Sequence, residues 1–435
     1  MPEDSRLLLK QPLARPTAKT PTRARSRSTP GLSWRRVGVQ ACVVLGSLVA
    51  TLLVLELAFR WSRWRRGMPS ERSVHSTLHH LTPPNLHMYD TTPDFHVLVT
   101  SNAMSLRGTT EYGKKPPGVK RLLMVGDSFT FGVGVESEET FSALLQQKLD
   151  ARGAKIQVIN GGVGSYSPIL EYLILRDRYL DWLEPDAVML WFDFNDLQDD
   201  FFYERHLRYD AQGRLLGCDP RYVNGRFDWY GFLRQRSALV GYFHDKLLRP
   251  FEKLRLLGWR GYLESGRSGV QTKVAIMKMT GDRRRIIDPL NYDTLLMIRD
   301  RSLLPEIEAH WKLTGGYLLK IRDLLQARGI PFVLAAFPMG TQVGPDQWRD
   351  GRLELGFEPG VTYDDPFPFE FLEAFADSHQ IPFLNTSPAF VAARREQLFH
   401  HADGHFTPAG HRVIAETLPH DPVFLGLLKR LAARR

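Results

Sequence analysis

The sequence predicts an α/β fold, a three-layer domain built on a parallel sheet and carried by one N-terminal transmembrane helix. Three observations predict it. Short apolar runs, such as residues 121–125 and 187–192, alternate with amphipathic helical stretches. Alternation of that kind marks a parallel sheet covered on both faces. Polar, glycine-bounded segments follow the ends of those runs, and residues 37–59 form a 23-residue apolar stretch whose one charge is Glu56.

Residues 1–36 are rich in Arg, Ser, Thr and Pro, with no periodic apolar face, and read as a disordered basic tail. At 1.5 Å per residue, residues 37–59 are long enough to cross roughly 30 Å of hydrocarbon. A cleaved signal peptide would show an apolar core of about 7–15 residues and a small-x-small exit, and neither is present. Nine basic residues precede the span and Arg60, Arg63, Arg65 and Arg66 follow it. The excess ahead of the span predicts a cytoplasmic N-terminus and a periplasmic or extracellular catalytic domain.

The net charge of +9 misleads. Residues 1–66 hold 13 of the 57 basic residues and only three of the 48 acidic ones, so the rest is close to neutral. A nucleic-acid partner is therefore not expected. Of the two cysteines, Cys42 lies in the apolar stretch and Cys218 stands alone in the remainder, which excludes a disulfide scaffold.

Residues 60–100 read as a linker or stalk. Their His75, His79, His80 and His87 lack accompanying Cys or carboxylate ligands and read as polar surface, not a metal site. A strand at 95–99 begins the globular domain, expected over 101–435. The buried strand 121–125 is followed by a helix at 138–152, with Phe141, Leu144, Leu145 and Leu149 on one face, Ser137 as N-cap and Gly153 at C′. Then come a strand at 155–160, a helix at 168–183 and a strand at 187–192. An insertion fills about 200–303, and within it 246–263 reads as an amphipathic helix facing solvent or a membrane. The pattern resumes with a helix at 306–328, a strand at 331–337, another helix, a strand at 382–384 and a last helix after Thr407.

Four segments carry chemistry: Gly126-Asp127-Ser128-Phe129, Asn160 to Ser167, Asp193-Phe194-Asn195-Asp196, and Asp403-Gly404-His405. In a parallel sheet the strand ends face one crevice, where such segments meet. Gly-Asp-Ser alone is also ordinary turn chemistry, so the combination matters. A Ser hydroxyl needs a base to take its proton, and His is the side chain suited to that near neutrality. Ser128 is the candidate nucleophile and His405 the base. Asp403, two positions away and on the same face of an extended segment, would orient it. Thr407-Pro408 reads as N-cap and N1 of the helix behind them. The oxyanion donors expected are the Ser128 N–H, an N–H from the Gly164-Ser165 turn and the Asn195 amide. Asp193, Asp196, Asp199 and Asp200 could suggest Mg²⁺ or Ca²⁺, but without a glycine-turned calcium loop they read as a polar rim.

These residues resemble the SGNH/GDSL hydrolase superfamily, over about 101–418. Gly126-Asp-Ser-Phe129 resembles its first block, Asn160 to Ser167 its second, Asn195 its third, and Asp403 with His405 its fifth, with Gly410-His411 behind. The second-block Gly falls on Ser165. One residue, not the commoner two, separates Asp403 from His405, which is similar to the alginate O-acetyltransferase-like branch. The resemblance implies a three-layer flavodoxin-like domain that hydrolyses acyl esters, acetyl or short-chain, through a Ser-His-Asp triad. Two alternatives stand beside it: acetyl transfer to a cell-envelope polysaccharide, and a catalytically silent carbohydrate-binding or scaffold protein. The partners expected are a small-molecule or carbohydrate acyl ester, the membrane and polysaccharide machinery of the envelope. No metal and no cofactor is expected.

Overall fold

The computed structural model describes residues 34–65, 73–248, 298, 304–352 and 357–433. The predicted basic tail lies outside these residues apart from its last three, as does most of the stretch 246–263. The chain divides into two compact units, Met1–Ala58 and Phe59–Arg435. A helix, Trp34–Arg65, holds the apolar stretch Val37–Ser62, with a mean hydropathy of 2.4 and nothing buried against protein. By length and composition it is a candidate membrane span.

The second unit is built on five parallel strands: β1 (Lys120–Gly126), β2 (Ile156–Asn160), β3 (Ala187–Phe192), β4 (Phe332–Ala336) and β5 (Phe383–Asn385). Their spatial order is β2-β1-β3-β4-β5. β3 and β4 are buried at every residue and β1 at all but its first. Strands covered on both faces read as unbroken apolar runs for this reason. Connections run outward one way from β1 to β2 and the other way from β2 through β3 to β5. Right-handed crossovers then put helices on both faces. Phe141–Ala151 packs with Pro408–Thr417, while Pro168–Ile174, Asp196–Glu204 and Leu304–Ala327 pack together. The reversal of direction lies between β1 and β3, where open sheets of this kind place their sites.

Several local expectations change. The helix expected at 138–152 is a 3-10 turn, Ser137–Glu139, followed by Phe141–Ala151. Its N-cap is Thr140, not Ser137, because the Thr140 hydroxyl accepts the Ala143 N–H. A π turn, Leu175–Tyr179, interrupts the helix at 168–183. The insertion begins as regular structure: the helix Asp196–Glu204, the hairpin Leu207–Tyr209 with Leu215–Cys218, and the helices Trp229–Arg236 and Ala238–Phe243. A further helix, Pro422–Ala433, follows the one expected to be last.

The largest correction concerns residues 60–100. Beyond 72 they form two antiparallel hairpins, Ser73–His75 with His79–Leu81 and His87–Thr91 with His96–Thr100. Leu78 and Leu81 join the main core and His80 is 4 % exposed. A stalk reading gave too little weight to the few apolar residues among the histidines, which dock the segment on the body.

Candidate active site

The chain leaves β1 at Gly126 and enters a single helical turn, Ser128–Phe131. Asp127 caps that turn, its Oδ1 accepting the Phe129 N–H at 2.9 Å. Gly132 ends it in the left-handed conformation. Ser128 is therefore held half-buried at the strand-to-helix crossover. Gly126 pairs with Trp191 on β3, so Asp127-Ser128 and Asp193-Phe194-Asn195 leave neighbouring strands at the same end. On the other side the Val163 N–H donates to the Gly126 carbonyl at 3.0 Å. Gly162 is required there: a Cβ would stand 2.4 Å from the Phe131 nitrogen.

His405 arrives from the far end of the chain. Its Nε2 lies 2.8 Å from Ser128 Oγ, and its Nδ1 bonds to Asp403 Oδ1. A proton on Nδ1, facing the carboxylate, leaves Nε2 as the acceptor for the Ser128 hydroxyl. Asp127 Oδ2 is a second neighbour of that hydroxyl at 3.2 Å. The segment is a bend, not the extended stretch that sequence reasoning assumed. Gly404 has φ +90°, and the Trp348 indole stands 2.5 Å from where a Cβ would sit. A left-handed glycine, not strand alternation, curls the Asp403 carboxylate back onto its own histidine. Thr407 caps the following helix as expected, its hydroxyl accepting the Gly410 N–H.

Sequence reasoning missed three supports. Asp94 Oδ2 accepts the N–H groups of Ala402 at 2.7 Å and Asp403 at 2.8 Å, bracing the acid's segment from the hairpin 308 residues away. Trp348 lies against Gly404. Phe129 packs on the His405 ring with centroids 4.6 Å apart, and Phe337 and Phe406 pack on Phe129. Phe129 follows Ser128 directly and was legible as a buried residue; nothing in the sequence pairs Asp94 or Trp348 with residues 402–404.

Burial works to raise the Asp403 carboxyl, but hydrogen bonds from His405 and its charge outweigh burial and hold it below the usual carboxylate range. Asp127 goes the other way: fully buried, it is pushed up, against the opposing pull of His405 and the Phe129 N–H. His411 is driven down to about 3 by burial and is a neutral acceptor for the Phe141 N–H at 3.2 Å. It belongs to the packing behind the site.

Gly164 and Ser165 are the central residues of a turn closed by the Tyr166 N–H on the Val163 carbonyl at 3.0 Å. Ser165 has φ +60°, a conformation that favours glycine, so a serine occupies the expected glycine position in a glycine's conformation. Asn195 stands half-buried just before the helix Asp196–Glu204 at the end of the same crevice, its side chain making no cap bond to that helix. Of the four aspartates expected as a polar rim, only Asp199 reaches solvent, half-buried; the other three do not. Asp193, Asp196 and Asp200 are 0 % exposed, as is Glu171, and burial pushes all four carboxyls up. Among the described residues no three His, Cys, Asp or Glu side chains are grouped to hold a metal ion.

No family model and no curated protein matches the chain. Solved structures do. The chain is similar to G-D-S-L-type lipolytic proteins and acetyl xylan esterases. The acetyl xylan esterase AlAXEase matches at 13% identity and a TM-score of 0.33, over 69% of this chain and 98% of that one. A lipolytic protein of the G-D-S-L family from Veillonella parvula matches at 12% and 0.30, over 69% and 97%. The acetylxylan esterase Axe2 from Geobacillus stearothermophilus matches at 11% and 0.30, over 71% and 94%.

Proposed function

We propose that this chain is an ester hydrolase of the SGNH/GDSL kind that removes an acyl group, acetyl or short-chain, through an acyl-enzyme on Ser128. One observation carries the reading: His405 stands between Ser128 Oγ at 2.8 Å and the Asp403 carboxylate. His405 Nε2 takes the hydroxyl proton as Ser128 Oγ attacks the ester carbonyl. Asp403 stabilises the imidazolium that forms. The tetrahedral oxyanion is met by the Ser128 N–H, an N–H of the Gly164-Ser165 turn and the Asn195 amide. His405 then protonates the leaving alcohol and activates water for release of the acid. Residues 37–59 anchor the enzyme, with the N-terminus in the cytoplasm and the catalytic unit outside.

The Asp403-Gly404-His405 spacing keeps acyl transfer to a polysaccharide hydroxyl as the second reading; the triad is shared and only the acceptor differs. The test is turnover of p-nitrophenyl acetate by the full chain in detergent, with and without an acetylatable polysaccharide. We expect acetate as the product and more than 10³-fold loss in Ser128→Ala with the melting temperature retained. Activity in Ser128→Ala above a few per cent of wild type overturns the nucleophile. Acetyl found on the polysaccharide favours transfer.

A further inference from the structure

The hairpin Ser73–His75 with His79–Leu81 reaches the site through His80. His80 is buried, and its Nε2 lies 2.8 Å from the Gly164 carbonyl oxygen. That carbonyl belongs to the central peptide of the turn Val163 to Tyr166, whose other end is the Ser165 N–H. A second side chain reaches the next carbonyl: the Tyr203 hydroxyl donates to Ser165 O at 2.7 Å, from the helix Asp196–Glu204. Two side chains from separate elements thus hold consecutive carbonyls of one turn.

The turn needs holding. Its third residue, Ser165, has φ +60°, the geometry of a type II turn, where glycine is the ordinary occupant. A non-glycine residue in that conformation persists only where its surroundings over-determine it. The central peptide of such a turn can rotate by about 180° between the type I and type II arrangements, carrying its N–H and C=O to opposite sides. A donor fixed on the Gly164 carbonyl therefore fixes the direction of the Ser165 N–H. The donor is itself fixed. Tyr166 donates its hydroxyl to the His80 carbonyl at 2.7 Å. His79 Nδ1 lies 2.9 Å from His80 Nδ1. With Nε2–H committed to Gly164 O, His80 Nδ1 accepts the His79 Nδ1–H, which supports the tautomer that the carbonyl requires.

We propose that His80 and Tyr203 are positioning residues that lock the central peptide of the Gly164-Ser165 turn, so that the Ser165 N–H is preset for the oxyanion formed at Ser128. This rests on the esterase reading above. His80 acts on the peptide that bears the donor, and Tyr203 on the next one. The larger effect belongs to His80.

The experiment uses the full chain in detergent, with two readouts. Hydrogen exchange of the peptide spanning the turn reports the lock without reference to activity. Steady-state kinetics on p-nitrophenyl acetate report its purpose. In His80→Ala we expect faster exchange at the turn and kcat lowered 10- to 100-fold, with KM within about twofold. His80→Gln, which keeps an amide donor, should recover most of kcat. Tyr203→Phe, which removes one oxygen and leaves the ring packed, should lower kcat three- to tenfold, and it keeps the proposal testable if His80→Ala fails to fold. Unchanged exchange in both His80→Ala and Tyr203→Phe overturns the lock. Faster exchange with kcat within twofold of wild type overturns its catalytic role, as does a loss confined to KM or a His80→Gln variant no better than His80→Ala. A wild type that turns over no ester, with the turn still loosened in the variants, retires the esterase reading and upholds the lock.

Discussion

Two groups of carboxyls lie at the same end of the sheet and behave in opposite ways. Asp403 is partly exposed, faces His405 and is held below the ordinary range. Asp193, Asp196, Asp200 and Glu171 are wholly buried and pushed up. Each of these four has at least one buried oxygen with no hydrogen-bond partner. Burial opposes ionisation in both groups, and what differs is the neighbour. The His405 bond and charge outweigh burial at Asp403, while burial, reinforced by neighbouring carboxylates, pushes the other four up. An acid's role here is set by its partner and not by its depth.

Three substitutions and one chemical treatment bear on that contrast. The largest effect is expected at Asp403, where replacement by the amide abolishes the charge that fixes the His405 tautomer. Asp403→Asn should lower kcat by about 10⁴ with the fold retained; a loss below tenfold would place this acid with the silent group. Next is Asp94, which holds the Asp403 segment through two N–H groups. Asp94→Ala should lower kcat about 10- to 100-fold with KM little changed, because misplacing the base costs rate and not ground-state binding.

The buried group should leave its mark on stability. Burial pushes Asp200 up to about 7, from 3.8 for an ordinary Asp. The folded state therefore holds a proton that the unfolded state has lost, and the resulting stability falls as pH rises from about 4 through 7. Full ionisation costs roughly 4 kcal/mol at most. In Asp200→Asn the Oδ1 still accepts from Ser167 and Ile169, as the carboxyl Oδ1 does now. The melting temperature of the variant should fall less than that of wild type between pH 5 and 8. Parallel curves would show that Asp200 is ionised already. The smallest change is expected from EDTA, since among the described residues no three metal-ligating side chains are grouped to hold a cation. Activity and melting temperature should both survive it, and a loss restored by Mg²⁺ or Ca²⁺ would give the buried group a ligand's role.

The sheet was legible because each of its strands is an apolar run bounded by polar residues, and periodicity reports burial directly. Ser128, His405 and Asp403 stood out because their residue types are rare at such positions together, and their side chains meet in the fold. The supports were not. Asp94 reads as one more turn residue, and its partners are bonds to backbone N–H groups, which leave no trace in side-chain pattern. Likewise the spacing of Asp403 and His405 suggested an extended segment, whereas the backbone angle at Gly404 decides the geometry. Residues 73–91 were misread because His75, His79, His80 and His87 dominated the reading, while in packing Leu78 and Leu81 prevail.

His405 lies 277 residues beyond Ser128. During synthesis Ser128, its turn and β1 to β3 can assemble while His405 is still to be made. The contact is thus closed by a segment far downstream of Ser128, and Asp94 waits 308 residues for the backbone it braces. Contacts so distant in sequence close slowly. Order in the chain is thus order of assembly: a chain made only as far as residue 404 carries Ser128 without the imidazole that faces it.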